Sequence, residues 1–163
     1  MAAQALVTFN ALGKAKSILK QRPETTVIAS DQIAVCGNTI LGKPGDIETA
    51  CEQLRLLSGQ TATFLTGLAL LSESSEQFDM VPFQVCFRTL NPEEIRTYVE
   101  TEQPLNCAGS FKSEGLGISL FERMTGDDPT ALIGLPLILL SQWLQPLKHI
   151  HESAYRAGHG VET

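Results

Sequence analysis

A carboxylate and an amide interrupt an otherwise apolar, β-branched stretch, Thr26-Val27-Ile28-Ala29-Ser30-Asp31-Gln32-Ile33-Ala34-Val35. Strands rich in Val and Ile are depleted in Asp, and a buried carboxylate without a partner is costly. If the strand runs through the segment, Asp31 needs a metal ion, a lysine or a substrate proton beside it. If the strand ends at Ser30, Asp31 only opens a turn.

Lys43 is the nearest candidate cation, set between Gly42 and Pro44 where a strand should hand over to a helix. There an ammonium could reach a phosphate held near Asp31, the alternative being a solvated loop lysine. The surrounding Gly37-Asn38-Thr39-Ile40-Leu41-Gly42-Lys43-Pro44 fits GxxxxGK but lacks the Ser or Thr that would give a hydroxyl to magnesium. Thr39-Ile40-Leu41 also prefers an extended strand to a phosphate-cradling nest, so the P-loop reading is rejected.

A third candidate is Ala108-Gly109-Ser110-Phe111-Lys112-Ser113-Glu114-Gly115-Leu116-Gly117, small residues gathered around a lysine and a glutamate. Glycines permit close backbone approach to a ligand, and they equally let a loop turn twice before a strand. His149, His151 and His159 fall in the C-terminal stretch and read as solvated surface residues rather than as a metal site. Cys36, Cys51, Cys86 and Cys107 show no CxxC pair and no zinc spacing, so they read as reduced thiols, with Cys51 on an apolar helix face.

The elements that must position these residues alternate helix and strand. Gln4 to Lys20 reads as a helix with Ala5, Phe9, Leu12, Ala15 and Leu19 on its apolar face, ended by Pro23. Val27 to Val35 follows as a strand. Gly37-Asn38 suits a two-residue hairpin that returns through Thr39 to Leu41. Asp46 caps a helix carrying Ile47, Ala50, Cys51, Leu54 and Leu57 at helical spacing, closed by Gly59. Thr61 to Leu71 and Met80 to Arg88 read as strands, with Pro82 suggesting an edge position. Asn91-Pro92-Glu93-Glu94 opens a helix to Glu100. The glycine-bearing segment leads into Ile118 to Phe121, and Leu135-Pro136 starts a helix to about Leu144. Residues 1–145 are expected to form one domain and 146–163 a poorly structured tail.

Composition narrows the function classes. With 163 residues and 43% apolar residues the chain can bury a core. Twelve basic against 18 acidic residues leave a net charge of −6, which disfavours nonspecific duplex binding. A small anionic ligand would need local lysines or a divalent cation to offset that field. The apolar run from Leu135 to Leu144 is too short to cross a bilayer, and Met1 to Gln4 shows no secretory pattern, so a cytoplasmic location is expected, without membrane or nucleic-acid partners.

Taken in order, Ala11-Leu12-Gly13-Lys14-Ala15, Ser30-Asp31-Gln32, Leu41-Gly42-Lys43-Pro44, Leu57-Ser58-Gly59, Val85-Cys86-Phe87-Arg88, the segment from Ala108 to Gly115, and Ile133-Gly134-Leu135-Pro136-Leu137 resemble the Maf family of nucleotide pyrophosphatases. More narrowly they are similar to the branch acting on 7-methyl-GTP. The resemblance spans about residues 4–145.

It implies an α/β fold built on a twisted mixed sheet flanked by helices, with two lobes around a nucleotide cleft. It implies hydrolysis of a nucleoside triphosphate to monophosphate and pyrophosphate, with a divalent cation, magnesium or manganese, neutralising the triphosphate. On this resemblance Asp31 matches the general base, Lys14 and Lys43 the phosphate-contacting lysines, and Gln32 and Glu114 the positions that set base choice. A carboxylate at Glu114 suits 7-methylguanine, whose ring is cationic and whose N1 and exocyclic amine donate hydrogen bonds. A homodimer is the implied assembly. The family's N-terminal strand and its Ser-x-Ser-Pro-x-Arg-Arg phosphate loop find no counterpart in these residues. A second reading, from another class, is therefore a noncatalytic remnant that binds nucleotide or makes protein contacts.

Overall fold

The structure is a computed structural model that describes residues 2–146. Helix α1 (Ala2–Gln21) leads into the hairpin of β1 (Val27–Cys36) and β2 (Thr39–Leu41). Helix α2 (Ile47–Leu57) then connects to the long strands β3 (Thr61–Leu71) and β4 (Glu76–Phe87). Helix α3 (Pro92–Glu102), two short 3-10 turns at Ala108–Ser110 and Leu116–Leu120, strand β5 (Phe121–Thr125) and helix α4 (Pro129–Ile133) follow. Residues 137–146 are helical. The expected tail from 147 onward, with His149, His151 and His159, lies outside the described residues.

The α/β reading holds, with helices on both faces of one sheet in the order β2-β1-β3-β4-β5. Where a mixed sheet was expected, every described pairing is antiparallel. The chain order explains this. β1–β2 and β3–β4 are joined by tight turns that reverse direction, and the α2 crossover returns the chain to the far side of β1.

Local signals account for most elements. Gly37 takes φ 57° in the β1–β2 turn, the left-handed conformation such hairpins require. The Thr49 N–H donates to Asp46 Oδ1 at 2.8 Å as the α2 cap. At α3, Asn91 and Glu94 form a reciprocal capping box. Asp128 caps α4, accepting from Thr130 N–H at 2.9 Å and from Ile138 N–H at 2.9 Å. That single buried carboxylate thus joins α4 to the helical stretch after it.

The larger apolar cluster lies between α2, α3 and one face of the sheet, around Leu54, Phe64, Val85, Phe87 and Phe111. Phe111 ties the glycine-bearing segment into this core, with its ring edge-on to Phe64 at 5.1 Å and to Phe121 at 4.9 Å. The opposite face carries α1 through Ala11, Ala15, Val27, Ala69 and Leu71.

The buried face of α1 differs from the expected one. Val7, Ala11 and Ala15 are buried, whereas Phe9 is 77% exposed and Ala5 also faces outward. The reason is close approach: a Cβ at Gly67 on β3 would come 2.6 Å from Val7 Cγ1. Only the face carrying small side chains fits so near the sheet. β4 begins at Glu76, earlier than Met80, because the Ser72–Ser75 turn sets it in register with the start of β3. Pro82 sits in an interior strand, yet β5 pairs only from Gln84 onward, so Pro82 faces no described neighbour on that side.

Candidate active site

β1 runs unbroken through Ser30, Asp31 and Gln32, so the turn reading of Asp31 is set aside. Because side chains alternate along a strand, Asp31 faces α1 while Ser30 and Gln32 face α4. β2 pairs only with Ala34 to Cys36, leaving the first part of β1 without a described neighbour on that side. A cleft of about 240 Å³ opens along this edge and receives groups from both faces.

On the α1 side, Lys14 and Asn10, one helical turn apart, converge on one carboxylate. Lys14 Nζ donates to Asp31 Oδ1 at 2.5 Å and to the Ser30 carbonyl at 3.2 Å. Asn10 Nδ2 donates to Asp31 Oδ2 at 3.0 Å. Asp31 therefore has the lysine partner that its place in an apolar strand demands. Its side chain is 15% exposed and that of Lys14 55%, so the pair sits at the cleft mouth with the ammonium toward solvent.

On the α4 side, Ser30 Oγ donates to the Gly134 carbonyl at 2.6 Å. Gln32 Nε2 donates to the carbonyls of Ala131 at 2.7 Å and Leu132 at 3.1 Å, and to Thr66 Oγ1 at 2.9 Å. These bonds fasten the end of α4 to the sheet as one cleft wall. Phe64, Asn106, Cys107, Phe111 and Lys43 also line the cleft.

The cleft thus brings together Lys14 from α1, Asp31 and Gln32 from β1, and Lys43 from the loop between β2 and α2. Glu114 stands apart, exposed on the turn beyond Phe111, where Ser113 Oγ donates to it at 3.3 Å. Lys112 is engaged elsewhere, its Nζ donating to the Glu102 carbonyl at 3.0 Å and its backbone N–H to Tyr98 Oη at 2.9 Å. Burial of Tyr98 pushes its hydroxyl up to about 12, so it serves that loop as a neutral acceptor. Asn10 and Thr66 escaped sequence reading. Asn10 had a signal, standing one turn before Lys14, whereas Thr66 inside a β-branched strand had none.

A larger cavity of about 430 Å³ lies between α3 and the second 3-10 turn. There Arg88 pairs with Glu94, and Asp31 is not among its lining residues. For a cation, Asp31 is the one carboxylate among the cleft-lining residues, and no described group of three or more His, Cys, Asp or Glu could hold a metal ion. This donor set fits a cation that arrives with phosphate oxygens and water rather than one caged by protein.

Comparison with known proteins agrees with the sequence resemblance. The family of Maf-like proteins matches residues 1–147. A 7-methyl-GTP pyrophosphatase of Alcanivorax borkumensis is 55% identical over 142 residues, covering 86% of this chain and 72% of that protein. The protein of the same name from Pseudomonas putida is 52% identical over 141 residues, with 85% and 73% covered. That from Vibrio cholerae is 55% identical over 134 residues, with 81% and 69% covered.

Proposed function

The chain belongs to the Maf-like protein family, and on that premise we propose that it hydrolyses 7-methyl-GTP to 7-methyl-GMP and pyrophosphate in the cleft beside Asp31. The observation that carries this reading is the convergence of one strand carboxylate and two lysines, Lys14 and Lys43, on a single cleft. Two cations that share a cleft with a carboxylate suit a polyphosphate whose attacking water must lose a proton.

In this mechanism Asp31 takes a proton from water as the water oxygen bonds to the α-phosphorus. The bond from that phosphorus to the α,β-bridging oxygen breaks, and pyrophosphate leaves. Without ligand, Lys14 is held by Asp31. A triphosphate offers the ammonium more negative charge, so Lys14 moves toward it and frees Oδ1 for the water. Asn10 keeps the carboxylate oriented through Oδ2. Lys43 also meets the phosphates.

A divalent cation, magnesium or manganese, would be held chiefly by the phosphate oxygens and would neutralise charge on the triphosphate, leaving Asp31 as the base. Gln32 and Glu114 are proposed to choose the base. Glu114 is three residues beyond the cleft-lining Phe111, so its part requires the 112–115 turn to move toward the ligand. Action in the cytoplasm and as a homodimer completes the reading. Among the described residues no helix is long and apolar enough to cross a membrane.

The test is pyrophosphate release from 7-methyl-GTP with magnesium or manganese, against an Asp31→Asn control. Release that depends on Asp31 supports the enzyme. Calorimetric binding of 7-methyl-GTP with no release from a folded chain supports the noncatalytic remnant instead.

A further inference from the structure

Gln32 is an unusual specificity residue because all its donating capacity is spent inside the protein. Its amide nitrogen has two hydrogens, shared among Thr66 Oγ1, the Ala131 carbonyl and the Leu132 carbonyl. Carbonyl oxygens only accept, so the atom facing them must be nitrogen. Thr66 reinforces the same choice. It is fully buried, stands directly opposite Gln32 in the β1–β3 register, and its one hydroxyl hydrogen goes to the Ala131 carbonyl at 2.8 Å. Toward Gln32 the hydroxyl can therefore only accept, which excludes the flipped amide.

The consequence falls on the other end of the amide. No described group donates to Gln32 Oε1. No buried side-chain oxygen or nitrogen among the described residues lacks a partner, so Oε1 is open to the cleft that Gln32 lines.

We propose that Thr66 is a positioning residue that locks the Gln32 amide, so that the cleft presents a fixed hydrogen-bond acceptor selecting bases whose N1 and 2-amino groups donate. This rests on the pyrophosphatase reading above and deepens it. The 7-methylguanine edge offers N1–H and a 2-amino group in line. Adenine offers an unprotonated N1 and no 2-amino group, which leaves Oε1 facing an acceptor. Thr66 touches no substrate and acts only through Gln32.

The experiment compares wild type, Thr66→Val and Thr66→Ser for calorimetric binding of 7-methyl-GTP and ATP, alongside KM and kcat for both. Val keeps the shape and removes the hydroxyl, while Ser restores it. In Thr66→Val the Ala131 and Leu132 carbonyls still face the amide nitrogen, so losing one of its three anchors is expected to weaken 7-methyl-GTP binding about threefold and to leave ATP unchanged. KM should rise with kcat nearly constant, and Thr66→Ser should regain wild-type discrimination. If Thr66→Val fails to fold, Thr66→Ala serves as the hydroxyl-free variant under the same criteria. Unchanged discrimination in the hydroxyl-free variant overturns the inference while leaving the enzyme reading intact, as does failure of Ser to rescue. A folded wild type that binds neither nucleotide overturns both.

Discussion

Lys14 Nζ lies 2.5 Å from Asp31 Oδ1, an ion pair that joins the middle of α1 to the middle of β1. The lysine side chain is 55% exposed, and such pairs contribute only about 0–1 kcal/mol to stability. The contact is cheap to break, which suits a group that must change partners when a more highly charged ligand arrives.

The first prediction separates these two residues. Asp31→Asn keeps the shape and removes the base, so turnover should fall by about a hundredfold or more. Lys14→Ala should instead raise KM most strongly, with a melting temperature close to wild type. Pyrophosphate release and thermal melts on both variants check this. Wild-type turnover in Asp31→Asn would remove Asp31 from the role of base.

Asp31 and Gln32 were legible because they break the rules of an apolar strand, whereas Lys14 and the role of Glu114 were reached only through the family resemblance. Asp31 in a Val- and Ile-rich strand demanded a partner, and the structure supplies Lys14. The Gly37-Asn38 hairpin, the Asp46 cap and the Asn91 capping box were equally plain, since each rests on neighbouring residues. What was hidden depends on contacts distant in sequence. Phe9 looked like core by helical spacing, but the close approach of Val7 to Gly67 turned α1 to its alanine face. β5 went unread because only Phe121 of its five residues is even partly buried, which leaves no alternation to see. Thr66 gained its role from a carbonyl 65 residues away.

A second prediction concerns acid. Burial by itself would raise the Asp128 pKa, but the hydrogen bonds from the Thr130 side chain and from the Ile138 and Thr130 backbone outweigh it and hold the pKa below its ordinary value of 3.8. A depressed carboxyl stabilises the fold fully above its unfolded value and loses that contribution as pH falls through the folded one. Asp128→Ala should cost about 2–3 kcal/mol at neutral pH, from the lost cap and orphaned N–H groups. The melting-temperature gap between wild type and variant should stay flat above pH 3.8 and close below it. A gap that widened with acid would contradict this assignment.

The cysteines should separate by reactivity. The hydrogen bond with Thr61, helped by one from Arg123, lowers the Cys86 thiol, whereas burial raises Cys36, Cys51 and Cys107. Thiolate is the reactive form, so limited iodoacetamide at pH 8 should mark Cys86 first and buried Cys51 last. Peptide mapping by mass spectrometry reads the order. Early labelling of Cys51 would instead report opening of the α2 core.

The closing prediction links packing to chemistry. Gly67 lies opposite Asp31 on β3, and an added methyl there would stand 2.6 Å from Val7 Cγ1 and 3.1 Å from the Phe78 ring. Gly67→Ala should therefore lift α1 from the sheet at a cost of about 1–3 kcal/mol. Asn10 and Lys14 ride on that helix, so the same shift draws both donors away from Asp31. Stability and KM should worsen together, although residue 67 touches neither ligand nor base. Val7→Ala removes the methyl that Gly67→Ala would strike, so the double variant should recover part of both losses and show a coupling energy of about 0.5–3 kcal/mol. If stability recovers without KM, the lysine is placed by something other than the seating of α1. If neither recovers, Phe78 is the contact that counts, and Gly67 is needed for the ring rather than the helix.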